Sequence, residues 1–371
     1  MTALSAPILR AYRPHLTRSH LPCMRGMATH TTSHHYTIRH IGHRESFSEI
    51  AAQSLLSLGG GRFESKFTLK GGYSSSEELL DFAPREATTE ASVAAELAIA
   101  PFESSLLGPY IHIYDQLLRG GLKIFAECSQ VEKHCLIGGT DETTIASIKR
   151  VYSHPWILRN SREFSDRHGF SRVEVNSTSH AVELVAANRG DPTIAAVGSS
   201  VQAETHGLHI VKENVANDEN AQTRYVVVGP GTLPDNILEC PGSVPLKSAI
   251  CVSIKDEPSA LFKALASFAL RDLNITSVVL RPLAMFPSFR EALPGGSQHW
   301  DYCFYIEYDA GSEECEAALV SSLRELSGPI VERLGKRYPS FIRHSHYRHP
   351  DWKTRSDESV SWEQLREFLS R

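Results

Sequence analysis

From residue 36 onward the sequence alternates short segments with the two-residue apolar period of a strand and longer segments with the spacing of a helix. Residues 36–41 and 122–126 are strand-like, whereas residues 46–58 and 110–118 place apolar side chains on one helical face. The same patterns predict further strands at 135–137 and 194–197 and further helices at 143–148, 179–188 and 201–206. This alternation predicts an α/β domain in which helices flank a sheet.

Prolines and glycines are concentrated between residues 229 and 245, which is the composition of an exposed linker. After this stretch the pattern restarts in the order βαββαβ, with a second helix near 315–326 and a last strand near 330–334. That order predicts a ferredoxin-like unit. The loop at 283–299 is long for a hairpin connection, and we expect it to be mobile or functional.

These features divide the chain into five parts. They are a leader at 1–35, an α/β domain at 36–230, a linker at 231–247, the βαββαβ unit at 248–335 and a polar tail at 336–371. In the tail, Ser361 and Gln364 have the spacing of a capping box and predict a final helix.

The leader differs in composition from the rest of the chain. It contains several arginines, whereas the first acidic residue of the sequence is Glu45. An arginine- and serine-rich, acid-poor segment is typical of a mitochondrial transit peptide. A plain disordered extension, with Met24 or Met27 as alternative starts, is the other interpretation, so the sequence leaves a cytoplasmic and a mitochondrial location open.

Composition excludes several classes of protein. The formal net charge of −5 gives no basic field for nucleic acid, and no apolar run approaches the roughly 20 residues of a membrane helix. The 7 cysteines are odd in number and scattered, which favours a reducing compartment over a disulfide framework. Cys128 and Cys135 flank His134 without a CxxC pair, so we expect buried thiols and no metal site.

Five segments resemble, in order, the motifs of the prephenate dehydratases and the similar arogenate dehydratases. They are 99–105 (Pro-x-Glu-Asn-Ser), 151–158 (Ser-His-Pro-Gln-Ala-Leu), 176–181 (Ser-Thr-Ala-x-Ala), 195–199 (Ala-Ala-Ile-Gly-Ser) and 222–225 (Thr-Arg-Phe). Residues 261–265, 274–276 and 281–282 are similar to the ACT regulatory domain of these enzymes. The resemblance covers about residues 36–334. It implies a two-lobed, periplasmic-binding-protein-like dehydratase domain followed by a ferredoxin-like ACT domain.

Several positions depart from the family pattern. The first motif, Gly-Pro-x-Gly-Thr-Phe/Tyr-Ser, aligns with residues 42–48, where charged residues replace a proline and a glycine. Ser104, Trp156 and His206 stand where the family has Asn, Gln and Tyr. The chain therefore resembles a divergent member.

The resemblance implies a lyase that removes the ring hydroxyl of prephenate as water, together with CO2, to form phenylpyruvate for L-phenylalanine biosynthesis. This reaction needs a proton donor at the hydroxyl and no cofactor or metal. Thr223 aligns with the threonine that the family needs for dehydration, and Glu103 is a second catalytic candidate that would orient donors. A helix-start carboxylate is the other interpretation of Glu103, and a strand-lining residue that of Thr223.

The substrate carboxylates need fixed hydrogen-bond donors, which strand-to-helix junctions with hydroxyl groups provide. The candidates are Ser46, Ser48, Ser104, Ser105, Ser177, Thr178, Gly198 and Ser199. Arg224 is either a two-bond carboxylate clamp or part of a structural ion pair. We expect His154, beside Pro155, to be structural.

In the ACT-like unit, the regulatory candidates are Ser259, Leu261 and Asn274. Family members that sense phenylalanine have a glycine where Ser259 stands, and Glu-Ser where Val279 and Leu280 stand. These changes imply a weak or absent response to an amino-acid effector. The unit is then expected to serve mainly to form a homodimer.

Three other functions remain open at this stage. The chain resembles an arogenate dehydratase equally well, and a relative of this fold can decarboxylate prephenate without forming an aromatic ring. A catalytically inactive ligand-binding paralogue is favoured by the altered first motif, whereas the retained Thr223 and Arg224 favour the dehydratase. The expected partners are a small-molecule substrate and a second copy of the chain, with no nucleic acid or membrane.

Overall fold

A computed structural model gives the structure of the protein. It describes residues 35–42, 46–58, 61–82, 95–235, 237–238, 244–254, 257–286, 301–326 and 331–342. The predicted leader up to residue 34, the loop from residue 287 to 299 and the tail helix at Ser361 and Gln364 lie outside these ranges. Within them, no helix combines the length and the apolar character needed to cross a bilayer.

The described part contains strands and helices in alternation. The strands are β1 (Tyr36–Ile41), β2 (Phe67–Tyr73), β3 (Ala95–Ser104), β4 (Gly108–Pro109), β5 (Leu122–Val131), β6 (Cys135–Gly138), β7 (Arg150–Ser153), β8 (Ser171–Glu174), β9 (Ile194–Gly198), β10 (His209–Lys212), β11 (Gln222–Pro230), β12 (Leu246–Ser253), β13 (Ile275–Pro282), β14 (Tyr302–Asp309) and β15 (Val331–Pro339). The helices are α1 (Phe47–Leu58), α2 (Gly61–Glu64), α3 (Ser76–Leu79), α4 (Ile111–Arg119), α5 (Pro155–Asn160), α6 (Arg162–His168), α7 (Thr178–Ala187), α8 (Ser200–Thr205), α9 (Ala260–Ala269) and α10 (Glu313–Leu326).

The strands form two sheets, one in each lobe. The first sheet has the order β13-β14-β12-β15-β5-β11-β3-β1-β2, with β4 paired to β3, and the second has the order β10-β6-β9-β7-β8. The chain crosses to the second lobe between β5 and β6 and returns between β10 and β11. The predicted two-lobed α/β fold of the periplasmic-binding-protein type is confirmed.

The C-terminal unit runs β12-α9-β13-β14-α10-β15, and its strands lie in the order β13-β14-β12-β15. This is the strand order of a ferredoxin-like sheet. Strand β15 continues past residue 335, the expected end of the unit, to Pro339. It pairs in parallel with β5 through Gly335 and Ile124, so the sheet of the C-terminal unit is continuous with that of the first lobe.

Both faces of the C-terminal sheet pack against helices. One face packs on α9 and α10 through residues that include Ile250, Phe268 and Leu319. The other face packs on α4 of the first lobe, where the Tyr305 hydroxyl donates a hydrogen bond to the Tyr114 carbonyl over 2.8 Å. The C-terminal unit is therefore anchored to the first lobe by a buried apolar contact.

Two sequence predictions are wrong in detail. Residues 143–148 form turns instead of a helix, because the hydroxyls of Thr144 and Ser147 each accept a hydrogen bond from the other residue's backbone N–H. Such side-chain bonds compete with helix formation. The 231–247 linker is not exposed throughout, since Ile237 and Leu238 are buried against the core beside α1.

Candidate active site

A cavity of about 730 Å³ lies between the two lobes. This volume is in the range of small-molecule sites. Its walls are Ile41, Gly42, Ser46, Phe47, Ser48, Ser74, Ser75, Ser76, Glu77, Pro101, Tyr110, His112 and Tyr225 from the first lobe, Glu132 at the crossing, and His154, Pro155, Trp156, Ile157, Glu174, Val175, Asn176, Ser177 and Thr178 from the second.

The N-termini of two helices meet this cavity from opposite lobes. Before α1, the Ser46 hydroxyl accepts a hydrogen bond from the backbone N–H of Glu49 over 3.2 Å. Before α7, the Ser177 hydroxyl accepts one from the backbone N–H of His180 over 3.1 Å. Free N–H groups and the helix dipole make such ends favourable for anions. A helix end of the kind that favours anions therefore faces the cavity from each lobe.

Gly42 allows the two lobes to approach at this point. Its backbone has a φ of +79°, and an added Cβ would lie 3.0 Å from the Ser179 hydroxyl of α7. Both conditions favour glycine. The first glycine of the altered motif thus keeps a structural role in spite of the changes that follow it.

A buried polar corner closes one side of the cavity. The Tyr225 hydroxyl donates a short hydrogen bond to Oε1 of Glu132, and the Thr223 hydroxyl interacts with Glu132 and with the Tyr110 phenol. Burial raises the pKa of Glu132 to about 7. Thr223 is itself 2% exposed and lies behind the residues that face the cavity.

Glu132 was not among the sequence candidates. It follows the last residue of β5, where the chain leaves for the second lobe, and it lies in none of the motifs. In the sequence, Glu132 lies between the strands predicted at 122–126 and 135–137, and no pattern there distinguishes it from the neighbouring charged residues. The residues that surround Glu132 are distant from it in sequence; Tyr225, for example, lies 93 positions further along the chain.

An aromatic and histidine wall faces this corner. The Trp156 ring packs on the Tyr110 ring with centroids 4.2 Å apart. His154 caps α5 by accepting a hydrogen bond from the Trp156 N–H over 3.3 Å, which is the structural role expected for it. Burial lowers the pKa of His154 to about 4 and also lowers that of His112, so both imidazoles are neutral at neutral pH.

The structure does not bring Arg224 to the cavity. Successive residues of a strand face opposite sides, and Arg224 points away from the side of Tyr225. Its guanidinium lies 2.8 Å from carboxylate oxygens of Glu103, Glu127 and Glu307. This is the structural ion pair that the sequence left open as the alternative to a substrate clamp.

The remaining binding candidates fall into two groups. Ser46, Ser48, Ser177 and Thr178 line the cavity, whereas Glu103, Ser104, Ser105, Gly198 and Ser199 do not. The Ser104 hydroxyl accepts hydrogen bonds from the N–H groups of Leu106 and Leu107, and the Ser105 hydroxyl accepts one from Gln222. Ser199 forms a capping box with Gln202 at the start of α8. Their hydroxyls stabilise local backbone in these positions.

The regulatory candidates lie in the C-terminal unit. Ser259 precedes α9 with a φ of +64°, in the left-handed region, and its side chain makes no capping hydrogen bond. Leu261 is 40% exposed, and the Asn274 side chain donates a hydrogen bond to Asp309 over 2.9 Å. The left-handed backbone explains why glycine suits the position of Ser259.

Comparison with known sequences identifies similar proteins. The sequence profile of the prephenate dehydratase family matches residues 38–232. Arogenate dehydratase/prephenate dehydratase 2 of Arabidopsis thaliana is 34% identical over 215 residues, which are 57% of this chain and 53% of that protein. Prephenate dehydratase of Methanocaldococcus jannaschii is 32% identical over 251 residues, 66% of this chain and 82% of that protein. The chain spans about half the length of the plant relative.

Solved structures share the fold. The prephenate dehydratase of Arthrobacter aurescens in complex with L-Phe superposes with a TM-score of 0.61 at 21% identity, covering 90% of this chain and 100% of that one. A quorum-quenching acylase superposes with a TM-score of 0.58 at 25% identity, covering 82% and 98% of the two chains. The similarity extends over both lobes and into the C-terminal unit.

Proposed function

The chain belongs to the prephenate dehydratase family, a family of carbon–oxygen lyases, and from this premise we propose that it converts prephenate to phenylpyruvate with loss of water and CO2. One observation carries the proposal: helix N-termini from both lobes and the buried polar corner face the same cavity. This reaction belongs to L-phenylalanine biosynthesis.

The two helix ends suit a substrate with two carboxylates. Prephenate carries one on the ring carbon and one on the pyruvyl side chain. We place one at α1, beside Ser46 and Ser48, and the other at α7, beside Ser177 and Thr178. Binding across the lobes would hold them closed, and closure excludes water from the site.

The polar corner suits the leaving group. A ring hydroxyl placed beside Tyr110, Glu132 and Tyr225 lies next to Thr223, the threonine that the resemblance assigns to dehydration. Hydrogen bonds that strengthen as the hydroxyl leaves would lower the barrier. The Trp156 ring supplies an apolar face for the substrate ring, which becomes aromatic in the product.

Glu103 and Arg224 act in this proposal as positioning residues. The guanidinium of Arg224 joins Glu103 on β3 to Glu127 on β5, the two strands on either side of β11. This holds the register of β11 and hence the places of Thr223 and Tyr225.

The C-terminal unit is proposed to form a homodimer. Val278 and Leu280 are 47% and 48% exposed on β13, the terminal strand of the sheet. An exposed apolar edge strand is a template for pairing with another chain. The unit is also proposed to respond weakly or not at all to phenylalanine, because Ser259, Val279 and Leu280 replace polar or glycine positions.

Incubation of the purified protein with prephenate tests the function. We expect phenylpyruvate to form, and its ultraviolet absorbance measures the rate. A parallel reaction with arogenate that yields phenylalanine faster would assign the arogenate dehydratase. Release of CO2 without an aromatic product would assign the non-aromatising decarboxylase, and calorimetric binding of prephenate without turnover would assign the inactive paralogue.

A further inference from the structure

The carboxyl group of Glu132 occupies an unusual position in the cavity. Its side chain is 6% exposed, yet it forms part of the wall where the chain crosses between the lobes. The Tyr225 hydroxyl donates a hydrogen bond to Oε1, the Thr223 hydroxyl interacts with the carboxyl, and Nε2 of His134 lies 3.9 Å from Oε2. These contacts fix the carboxyl in place.

The groups that face this carboxyl do not neutralise a negative charge. Burial lowers the pKa of His134 to about 4, so its ring is uncharged at neutral pH. Burial also raises the pKa of the Tyr110 and Tyr225 phenols, which stay protonated. Desolvation therefore dominates, and with a pKa of about 7 a large fraction of Glu132 carries its proton at neutral pH.

We propose that Glu132 is the catalytic acid that protonates the departing hydroxyl of the substrate. The proposal rests on the proposed dehydratase function. The Oε2–H bond of Glu132 breaks and its proton goes to the ring hydroxyl oxygen, while the C–O bond breaks and water leaves. The electron pair of the bond between the ring and the carboxylate forms the new ring double bond, and CO2 leaves. Glu132 remains as a carboxylate and takes a proton from solvent.

Thr223 and Tyr225 are positioning residues in this step. The Tyr225 hydroxyl donates a hydrogen bond to Oε1 of Glu132, so the proton of the carboxyl is carried by Oε2. Thr223 holds the carboxyl at the site of the leaving group. An aliphatic hydroxyl such as that of Thr223 is too weak an acid to lose its own proton at neutral pH. A carboxyl whose pKa is near the working pH is suited to general acid catalysis.

A carboxylate in a substrate cavity also suits an ammonium group, such as that of arogenate. The amino-acid side chain of arogenate lies on the ring carbon opposite the hydroxyl. Because Glu132 interacts with Thr223, which the proposed function places beside the hydroxyl, it lies at the other end of the ring from an ammonium. The geometry therefore favours Glu132 as a proton donor to the hydroxyl over Glu132 as the partner of an ammonium group.

The pH dependence of kcat/KM for prephenate tests this assignment. The unmodified protein is expected to lose activity above about pH 7, because kcat/KM reports the free enzyme and Glu132 must be protonated. Glu132→Gln keeps the hydrogen-bonding shape without an acidic proton. We expect its kcat to fall by about 100-fold or more and the alkaline decline to disappear.

Glu77→Gln is the matched control. Glu77 also lines the cavity, but hydrogen bonding to its own backbone N–H lowers its pKa, so it is ionised throughout this pH range. The alkaline decline is expected to remain in this variant. If Glu132→Gln fails to fold by circular dichroism, Glu132→Asp replaces it, with a reduced kcat and a retained alkaline decline expected.

Two results would overturn the assignment while leaving the dehydratase function intact. One is a folded Glu132→Gln protein with an unchanged kcat and alkaline decline on prephenate. The other is a Glu132→Gln protein that loses affinity for arogenate alone, which would assign the carboxylate to the ammonium. Absence of turnover in the unmodified protein would instead remove the dehydratase function, and the acid role with it.

Discussion

Arg224 on β11 and Glu307 on β14 lie 2.8 Å apart and form an ion pair between the first lobe and the C-terminal unit. Glu127, which is fully buried, lies between Arg224 and Lys247 and accepts a hydrogen bond from Ser340. The cluster thus joins strands of both parts of the chain around one buried carboxylate. Thr223 and Tyr225, which flank Arg224 on β11, belong to the polar corner of the cavity.

Arg224→Leu is expected to lower the free energy of unfolding by about 3–5 kcal/mol, because it leaves Glu127 and Glu307 buried with less counter-charge. Chemical denaturation measures this loss. Arg162→Leu is the control: Arg162 pairs with Asp166 on an exposed surface, and its loss should cost less than about 1 kcal/mol. Equal losses would contradict the structural role of Arg224.

Thr223→Val is expected to reduce kcat on prephenate by about 100-fold or more, because it removes the hydroxyl that holds the carboxyl of Glu132 and the phenol of Tyr110 at the site of the leaving group. Thr223→Ser keeps the hydroxyl and should retain most of the activity. Steady-state kinetics on both variants checks this. A Val variant that folds and turns over normally would remove Thr223 from the mechanism.

Acid should destabilise the protein through its buried imidazoles. The pKa of His134 and of His154 is lowered from 6.5 to about 4 in the folded state, so the unfolded chain binds more protons between these values. Stability is present above pH 6.5 and is lost as the pH falls towards 4, by up to about 3 kcal/mol for each histidine.

Denaturation curves measured between pH 4 and 7 test this dependence. His154→Asn keeps a side-chain acceptor at the start of α5 and should flatten the dependence of the unfolding free energy on pH. If the unfolding free energy of His154→Asn depends on pH in the same way as that of the unmodified protein, His154 does not contribute to this dependence.

Ser259→Gly is expected to stabilise the C-terminal unit by about 1 kcal/mol, because glycine adopts the left-handed backbone at this position without steric cost. Ser259→Ala retains the strain and should change stability little, since the serine makes no capping bond. Thermal unfolding compares the two variants.

The same substitution tests the regulatory proposal. Phenylalanine should bind the unmodified protein weakly, and calorimetry should detect tighter binding to Ser259→Gly, in which the backbone is open to a ligand. Micromolar binding to the unmodified protein, accompanied by inhibition, would restore ordinary feedback control.

The exposed edge of the C-terminal sheet gives a prediction for assembly. Val278→Asp combined with Leu280→Asp places charges on β13 and is expected to convert a dimer to a monomer in light scattering. Leu58→Asp is a control at a residue that is 51% exposed on α1. A double variant that stays dimeric would place the interface elsewhere.

The sequence predicted what local pattern and motif order encode. Helices such as α1 and α7 are recoverable from apolar spacing, and Ser46 and Ser177 from their positions at helix starts. Strand alternation also implies that the side chains of Thr223 and Arg224 lie on opposite faces of the sheet. At most one of the two can therefore contact a substrate in the cavity. Glu132 was not predictable, because its raised pKa comes from burial among Tyr110, Thr223 and Tyr225, which only the folded chain brings together.

The pairing of β15 with β5 has a consequence for dissecting the protein. A chain cut after β11 would keep β5 but lose its neighbour, together with Lys247 and Ser340, the partners of the buried Glu127. The unpaired backbone of β5 would then be open to association with other chains. The dehydratase-like part and the C-terminal unit therefore share one continuous sheet and one buried charge cluster, and their contributions are better separated by point substitutions than by truncation.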